Sequence, residues 1–184
     1  MYENKLWIFD DIVSIEDQEN IKNEFFGNNF PWFFISDITN SGHSNQKRPA
    51  FQHILIKDSV NNSEYCEWLL PIVKNSENKI GFKSKKVEQG RVFLQLPLNI
   101  EKKDCDDPHV DLNYKHLVVL YYVITSDGET IIYNEQNKTN NDKYTIKKSV
   151  KPKQGRVVIF DGRYYHTANQ PNKDIRCVIN YNLI

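Results

Sequence analysis

From about Val87 onward the chain is a succession of short apolar, β-branched and aromatic runs separated by turn residues. The runs are 90–98 (GRVFLQLPL), 117–124 (LVVLYYVI), 130–133 (TIIY), 143–148, 156–160 (RVVIF) and 175–184. Several short strands with such punctuation predict an all-β sandwich or barrel. Asp127-Gly128 suits a hairpin turn, residues 151–155 (KPKQG) a second turn, and Asp161-Gly162 a third. Between two strands, 134–142 (NEQNKTNND) is polar enough for a solvated loop.

The first half of the chain is different. Leu6-Trp7-Ile8-Phe9 reads as a short strand. Ser14 with Asp17 three residues on is close to a capping box. Ile21, Phe25 and Phe26 then suit one helix face, and Gly27 its end. Residues 31–38 (PWFFISDI) and 50–57 read as strands, and 39–49 (TNSGHSNQKRP) as a loop. Ser63 is placed to cap a second helix, in which Tyr65, Trp68, Leu69, Ile72 and Val73 follow helical spacing. Pro71 inside that pattern lacks an N–H, which predicts a kink or break. Both helices are expected to pack on the outside of one sheet and cover its apolar face.

At 184 residues the chain fits one domain with a real core. Lys plus Arg and Asp plus Glu are 24 each, so the net charge is zero, which argues against non-specific nucleic-acid binding as the main task. Cys66, Cys105 and Cys177 are odd in number and lack metal-type spacing, so reduced thiols in a cytoplasmic setting are the simplest reading. The charged opening MYENKLWIFDD is unlike a signal peptide, and no apolar run approaches membrane-spanning length.

The chemistry centres on Pro108-His109-Val110-Asp111. Residues two apart on an extended segment face the same way. A distant histidine can therefore join His109 and Asp111 in a two-histidine, one-carboxylate facial triad, the usual holder of non-haem Fe(II) in oxygenases. His166 lies 55 residues after Asp111, and Arg176 ten residues after His166. Alone, His-x-Asp is weak; with the distal histidine and the basic residue on strands, the signal is strong. His109, Asp111 and His166 are the candidate metal ligands. The plain alternative is a surface His-x-Asp turn and a hydrogen-bonded core histidine.

Five stretches together carry a resemblance: PHVD at 108–111, HLVVLYYVI at 116–124, DGETIIY at 127–133, VKPKQGRVVIFDGRYYHTANQP at 150–171 and RCVINYNLI at 176–184. In order and spacing they resemble the Fe(II)/2-oxoglutarate-dependent oxygenases, nearest the prolyl-4-hydroxylase-like branch. The resemblance implies a mainly β double-stranded β-helix, or jelly-roll, of cupin-like type, with flanking N-terminal helices. It implies one domain over 1–184, with 1–85 as helical support and cleft region and 86–184 as the jelly-roll core. It implies Fe(II), 2-oxoglutarate as co-substrate and O2, and it admits ascorbate. The implied reaction is hydroxylation of an unactivated C–H bond, with succinate and CO2 as co-products.

On this resemblance Arg176 partners the far carboxylate of 2-oxoglutarate, because guanidinium stays charged and grips carboxylate in bidentate fashion. The alternative is a surface arginine at a strand start. Arg176, Val178 and Asn180 share a strand face. Asn180 would then line the pocket nearer the metal, or be a strand-end polar residue. Tyr122 resembles the family tyrosine that meets the same carboxylate, with Tyr121 facing away; otherwise both are core aromatics. Leu96 stands where many relatives have a second tyrosine, so Gln95 is a candidate contributor instead. Arg91 and Arg163 are candidate substrate-side cations, although such residues are more often solvated. His43 and His53 are not expected to be ligands, and His116 reads equally as a residue leading into a strand. Thr130, in DGET, is read as a matter of strand geometry. Lys143, Lys147, Lys148, Lys151 and Lys153 read as an exposed hairpin.

A peptide or protein prolyl residue is the first expectation for substrate and a small molecule the second. Nucleobase chemistry is disfavoured, because Asn182 stands where that branch has a second arginine. A cupin-type enzyme would bring a third histidine near the pair, and a non-catalytic jelly-roll module would not need the full residue set. The loops 39–49 and 134–142 are placed to close over substrate.

Overall fold

A computed structural model of the chain describes residues 2–38, 47–98, 107–136 and 143–184. In chain order the elements are β1 (Leu6–Phe9), α1 (Ile15–Phe25), β2 (Phe33–Ile35), β3 (Ala50–Lys57), β4 (Val60–Asn61), α2 (Cys66–Ile80), β5 (Val87–Gln95), β6 (Leu117–Tyr122), β7 (Thr130–Gln136), β8 (Ile146–Val150), β9 (Val157–Asp161), β10 (Tyr164–Ala168) and β11 (Arg176–Leu183). The larger sheet runs β1-β9-β6-β11-β5-β3-β2, with β4 paired to β3; the smaller runs β10-β7-β8. The strand pairs within both sheets are antiparallel. None of the helices is long and apolar enough to cross a membrane.

Strand parity gives the larger sheet two apolar faces. Its outer face presents Val119, Tyr121, Val157, Ile159, Ile179 and Tyr181, and these pack with Ile21 and Phe25 of α1 and Leu69, Ile72 and Val73 of α2. Covering one sheet face with two helices is what an apolar strand face requires in water. The inner face presents Val118, Leu120, Tyr122, Val158, Phe160 and Val178 against Ile132 and Val150 of the smaller sheet. Because both faces are covered, β6, β9 and β11 are buried at every position and read as continuous apolar runs rather than alternating ones.

Several local expectations are corrected. Asp127-Gly128 does not close a hairpin: β6 pairs with β9 and β11, whereas β7 pairs with β10 and β8. The chain changes sheet there, and again between β8 and β9 and between β9 and β10. Residues 134–136 continue β7 rather than starting a loop. The strand expected over 31–38 shrinks to Phe33–Ile35, an edge segment. Strands β4 and β10 lie outside the runs delimited by apolarity. β4 has only two residues, and β10 (YYHTA) mixes polar with aromatic positions.

The first helix starts as expected, with Ser14 Oγ accepting from the Asp17 N–H at 3.0 Å. Phe26 is its C-cap, past the last buried turn, and is half-exposed instead of joining the Ile21–Phe25 face. The second helix begins at Cys66, so Ser63 is not its N-cap. Ser63 Oγ accepts from the Tyr65 N–H at 3.2 Å and bonds His53 Nε2 at 2.7 Å. Pro71 neither breaks nor ends α2, which continues to Ile80. The buried neighbours Leu69, Ile72 and Val73 hold the helix on the sheet despite the missing N–H, and Pro71 itself faces solvent. Gly81 ends α2 at φ +63°, the left-handed conformation that favours glycine. Residues 39–46, 99–106 and 137–142 lie outside the described residues, and with them His43, Cys105 and most of both expected lid loops.

Candidate metal centre

His109 and His166 meet as direct cross-strand neighbours. His109 lies on the extended segment beside β10 and forms an isolated bridge to His166. Its N–H donates to the His166 carbonyl at 3.0 Å, and the reverse bond is 2.9 Å. The rings lie with centroids 4.7 Å apart. Asp111, two residues on, projects to the same side. Its Oδ1 is 3.9 Å from His109 Nε2 and its Oδ2 is 3.7 Å from His166 Nε2. One donor atom from each of the three residues lies within 4.8 Å of the others.

Each ring nitrogen has a definite role. His109 Nδ1 faces the Asp107 carbonyl at 3.1 Å, and His166 Nδ1 faces the Tyr164 carbonyl at 3.2 Å. A carbonyl can only accept, so an Nδ1 proton satisfies each contact and leaves each Nε2, within 4 Å of an Asp111 oxygen, as the ligating nitrogen. Burial, joined by the neighbouring His109, pushes the pKa of His166 down to about 4, against the pull of Asp111. Its imidazole is therefore neutral at neutral pH. Burial disfavours charge on Asp111 too, but His166, Arg91, His109 and the Asn180 amide outweigh it and hold the carboxyl well below its ordinary range.

Two side chains grip Asp111 from β5 and β11. Arg91 Nη2 donates to Oδ1 at 3.2 Å, and Asn180 Nδ2 donates to Oδ2 at 2.9 Å. They are in-register partners on adjacent strands, so both rise from the inner face beside the triad. The Arg91 guanidinium also stands over the Phe93 ring, 5.3 Å from its centroid. Arg91 was a candidate substrate-side cation from sequence; in the fold it faces a carboxylate of the triad.

Four residues before Asn180, about 13 Å along the strand at ordinary strand rise, lies Arg176. It is buried, with Nε donating to the Gly128 carbonyl at 3.0 Å, Nη1 to Gln95 Oε1 at 2.8 Å and Nη2 to Thr130 Oγ1 at 2.9 Å. The Tyr122 hydroxyl also donates to Thr130 Oγ1, at 2.8 Å. Burial pushes the Tyr122 pKa up to about 12, so its phenol keeps its proton. Thr130 Oγ1 thus accepts two hydrogen bonds, which uses both lone pairs and leaves its own proton to donate. Gln95 Nε2 is buried with no hydrogen-bond partner among the described residues. The sequence reading of Thr130 as strand geometry alone leaves out its hydroxyl; its place in DGET, two residues after Gly128, was the available signal. Gly128 is required by contact. A Cβ there would lie 2.8 Å from Arg176 Cδ and 3.0 Å from the Asn169 carbonyl oxygen.

The remaining candidates lie elsewhere or face other partners. Arg163 forks onto the buried Asp161, not onto the triad. His53 is held between the Pro31 carbonyl and Ser63 Oγ in an aromatic cluster. His116 is buried before β6, with Nδ1 on the Tyr114 carbonyl. Tyr121 faces the helices, opposite Tyr122. Leu96 lies beyond the end of β5 and is exposed. Lys147 and Lys148 lie on exposed positions of β8. A cavity of about 600 Å³ lies at the β2–β3 edge, lined by Phe33, Gln52, His53 and Tyr65 among others. No residue of the triad lines it, and the convergent polar chemistry is at the triad instead.

No protein-family model matches the sequence, and no curated protein is similar to it. Solved structures do match. A 2OG-Fe(II) oxygenase-family oxidoreductase from Burkholderia pseudomallei has a TM-score of 0.70 at 11% identity, covering 98% of this chain and 85% of that one. A prolyl hydroxylase from Trichoplax adhaerens, in complex with a hypoxia inducible factor peptide fragment, has a TM-score of 0.63 at 14% identity, covering 99% and 84%. The non-heme alpha ketoglutarate dependent epimerase SnoN of nogalamycin biosynthesis has a TM-score of 0.65 at 11% identity, covering 97% and 77%. Two antiparallel sheets, two covering helices and these likenesses agree: the chain has the double-stranded β-helix fold of the 2OG-Fe(II) oxygenases.

Proposed function

We propose that the chain is an Fe(II)- and 2-oxoglutarate-dependent dioxygenase that hydroxylates an unactivated C–H bond, with residues 1–184 acting as one oxygenase domain. The observation that carries this reading is the convergence of His109, Asp111 and His166 within 4.8 Å on this fold. Two imidazole nitrogens and one carboxylate oxygen suit ferrous iron and leave coordination positions open. At the far end, Arg176, the Thr130 hydroxyl and the unpartnered Gln95 amide N–H fit a carboxylate. The donor sets therefore suit both iron and a dicarboxylate co-substrate.

Iron held by His109, Asp111 and His166 would supply the means to reduce O2 with the electrons of 2-oxoglutarate, which would leave as succinate and CO2 while the substrate gains one oxygen. The chain's own residues do the rest. The Asp107 and Tyr164 carbonyls keep the two imidazoles in the ligating tautomer. Arg176 anchors the far carboxylate in a buried site, where a permanently charged fork is most effective. Tyr122 holds Thr130 oriented, and the apolar inner face around Val178 and Phe160 excludes water.

For substrate, a prolyl residue of a peptide or protein is the first reading. It is supported by likeness to a prolyl hydroxylase that binds a peptide fragment. A small molecule is the second, favoured by the comparable likeness to SnoN. A nucleobase is disfavoured: Asn182 is buried and its amide donates to Gln89 Oε1 at 3.3 Å.

The expected result is succinate release that needs both Fe(II) and 2-oxoglutarate and is abolished by His166→Ala. Succinate release that survives His166→Ala would refute the assignment. Mass spectrometry on a peptide library, scored for a 2-oxoglutarate-dependent gain of one oxygen, separates the two substrate readings.

A further inference from the structure

We infer that Arg91 is a built-in counter-ion of Asp111: it holds the carboxylate ready for metal, and its positive charge limits how tightly the metal binds. The inference rests on the metal-centre reading above and deepens it. Asp111 has a side chain only 5% exposed. A carboxylate so buried is costly unless it is paired and hydrogen-bonded. Of the two side chains that donate to it, Arg91 carries a permanent positive charge and Asn180 is a neutral amide.

The two grips on Asp111 differ in kind. Asn180 supplies a short, neutral hydrogen bond at 2.9 Å to Oδ2. Arg91 supplies a charge across a longer 3.2 Å contact to Oδ1. That contact is at the long end of the N–H···O range, so its directional share is small and its Coulombic share dominates. The guanidinium stands over Phe93 and its Nε is buried, while the side chain as a whole is 28% exposed. Without metal, this charge balances Asp111 and keeps the three donors together. When a divalent ion binds the same carboxylate, the fixed cation on the other flank repels it. Removing the charge while keeping a polar side chain should therefore tighten metal binding and weaken the metal-free fold. Removing Asn180 should do the opposite to metal affinity, since only orientation is lost.

The test uses the full chain and Co(II) alone, titrated calorimetrically and by its visible spectrum, with melting followed in parallel. Arg91→Gln is expected to bind Co(II) about ten-fold tighter than the unaltered chain, an effect of charge removal beside a ligand. Arg91→Lys, which keeps the charge, should stay within about two-fold. Asn180→Leu should bind more weakly. The metal-free melting temperature of Arg91→Gln should fall, and saturating Co(II) should restore it. Equal or weaker Co(II) binding by Arg91→Gln overturns the inference, as does a melting deficit that Co(II) does not restore. An Arg91→Gln chain that folds neither with nor without Co(II) overturns it too, since the ion should replace the missing charge. If the unaltered folded chain binds no Co(II), the metal-centre reading itself falls and this one with it. If the chain binds Co(II) and only the Arg91→Gln result fails, the centre stands and the counter-ion role is gone.

Discussion

Thr130 has no titratable group, yet both Arg176 and Tyr122 end on its hydroxyl oxygen. On the proposed reading, this small network sets where the far carboxylate of 2-oxoglutarate sits. Arg176→Lys is expected to raise the KM for 2-oxoglutarate about ten-fold or more, because a charge-assisted fork is replaced by a single ammonium. Gly128→Ala should act in the same direction without touching a ligand-binding atom, since its Cβ would press on Arg176 Cδ and the Asn169 backbone. In both variants Co(II) affinity should be unchanged; 2-oxoglutarate-dependent succinate release and Co(II) titration check the pair of claims. The triad residues were legible in the sequence because metal binding demands particular side chains and strand parity puts His109 and Asp111 on one side. Thr130, Gln95 and Arg91 were less so. Threonine, glutamine and arginine occur on any strand, and what they touch depends on the register of β5 and β11 and on where β7 begins.

Among the elements, α2 is the clearest conflict between local and tertiary preference. An internal proline removes a hydrogen bond and crowds the preceding turn, yet α2 runs from Cys66 to Ile80 through Pro71. Packing of Leu69, Ile72 and Val73 on the outer face outweighs that cost. Pro71→Ala should then stabilise the protein by about 1–3 kcal/mol, since the backbone is already helical and alanine restores the N–H. Urea unfolding checks this; an unchanged or lower midpoint would show that Pro71 costs the helix nothing. The turn at Asp127-Gly128 teaches the converse. Its composition signals a hairpin, but a hairpin also needs the flanking strands to pair, and β6 is already paired on both edges by β9 and β11.

For the whole molecule, the outer face of the larger sheet is covered by helices from the first 85 residues. Tyr121, Ile179 and Tyr181 are fully buried, and they belong to the cluster that the helices cover. β1 and β3 also flank the sheet, on β9 and β5. A fragment of residues 86–184 would expose these faces and edges. It is expected to aggregate or bind a hydrophobic dye, with no cooperative unfolding, in size-exclusion chromatography and thermal melts. A monomeric fragment with a sharp transition would show instead that 86–184 is a self-sufficient unit and would refute the one-domain reading.

The order of strand-like runs, the His-x-Asp spacing and the later His166 and Arg176 were enough for the sequence alone to determine the class of fold and the candidate ligands. These depend on side-chain type and on a period of two, both local quantities. Only the tertiary structure decided which strands pair, that the supposed hairpin turn crosses between sheets, and that Arg91 and Asn180 close on Asp111. Those outcomes depend on the register between segments that lie 69 and 20 residues from Asp111 in the chain, and no local pattern encodes a register between strands so far apart.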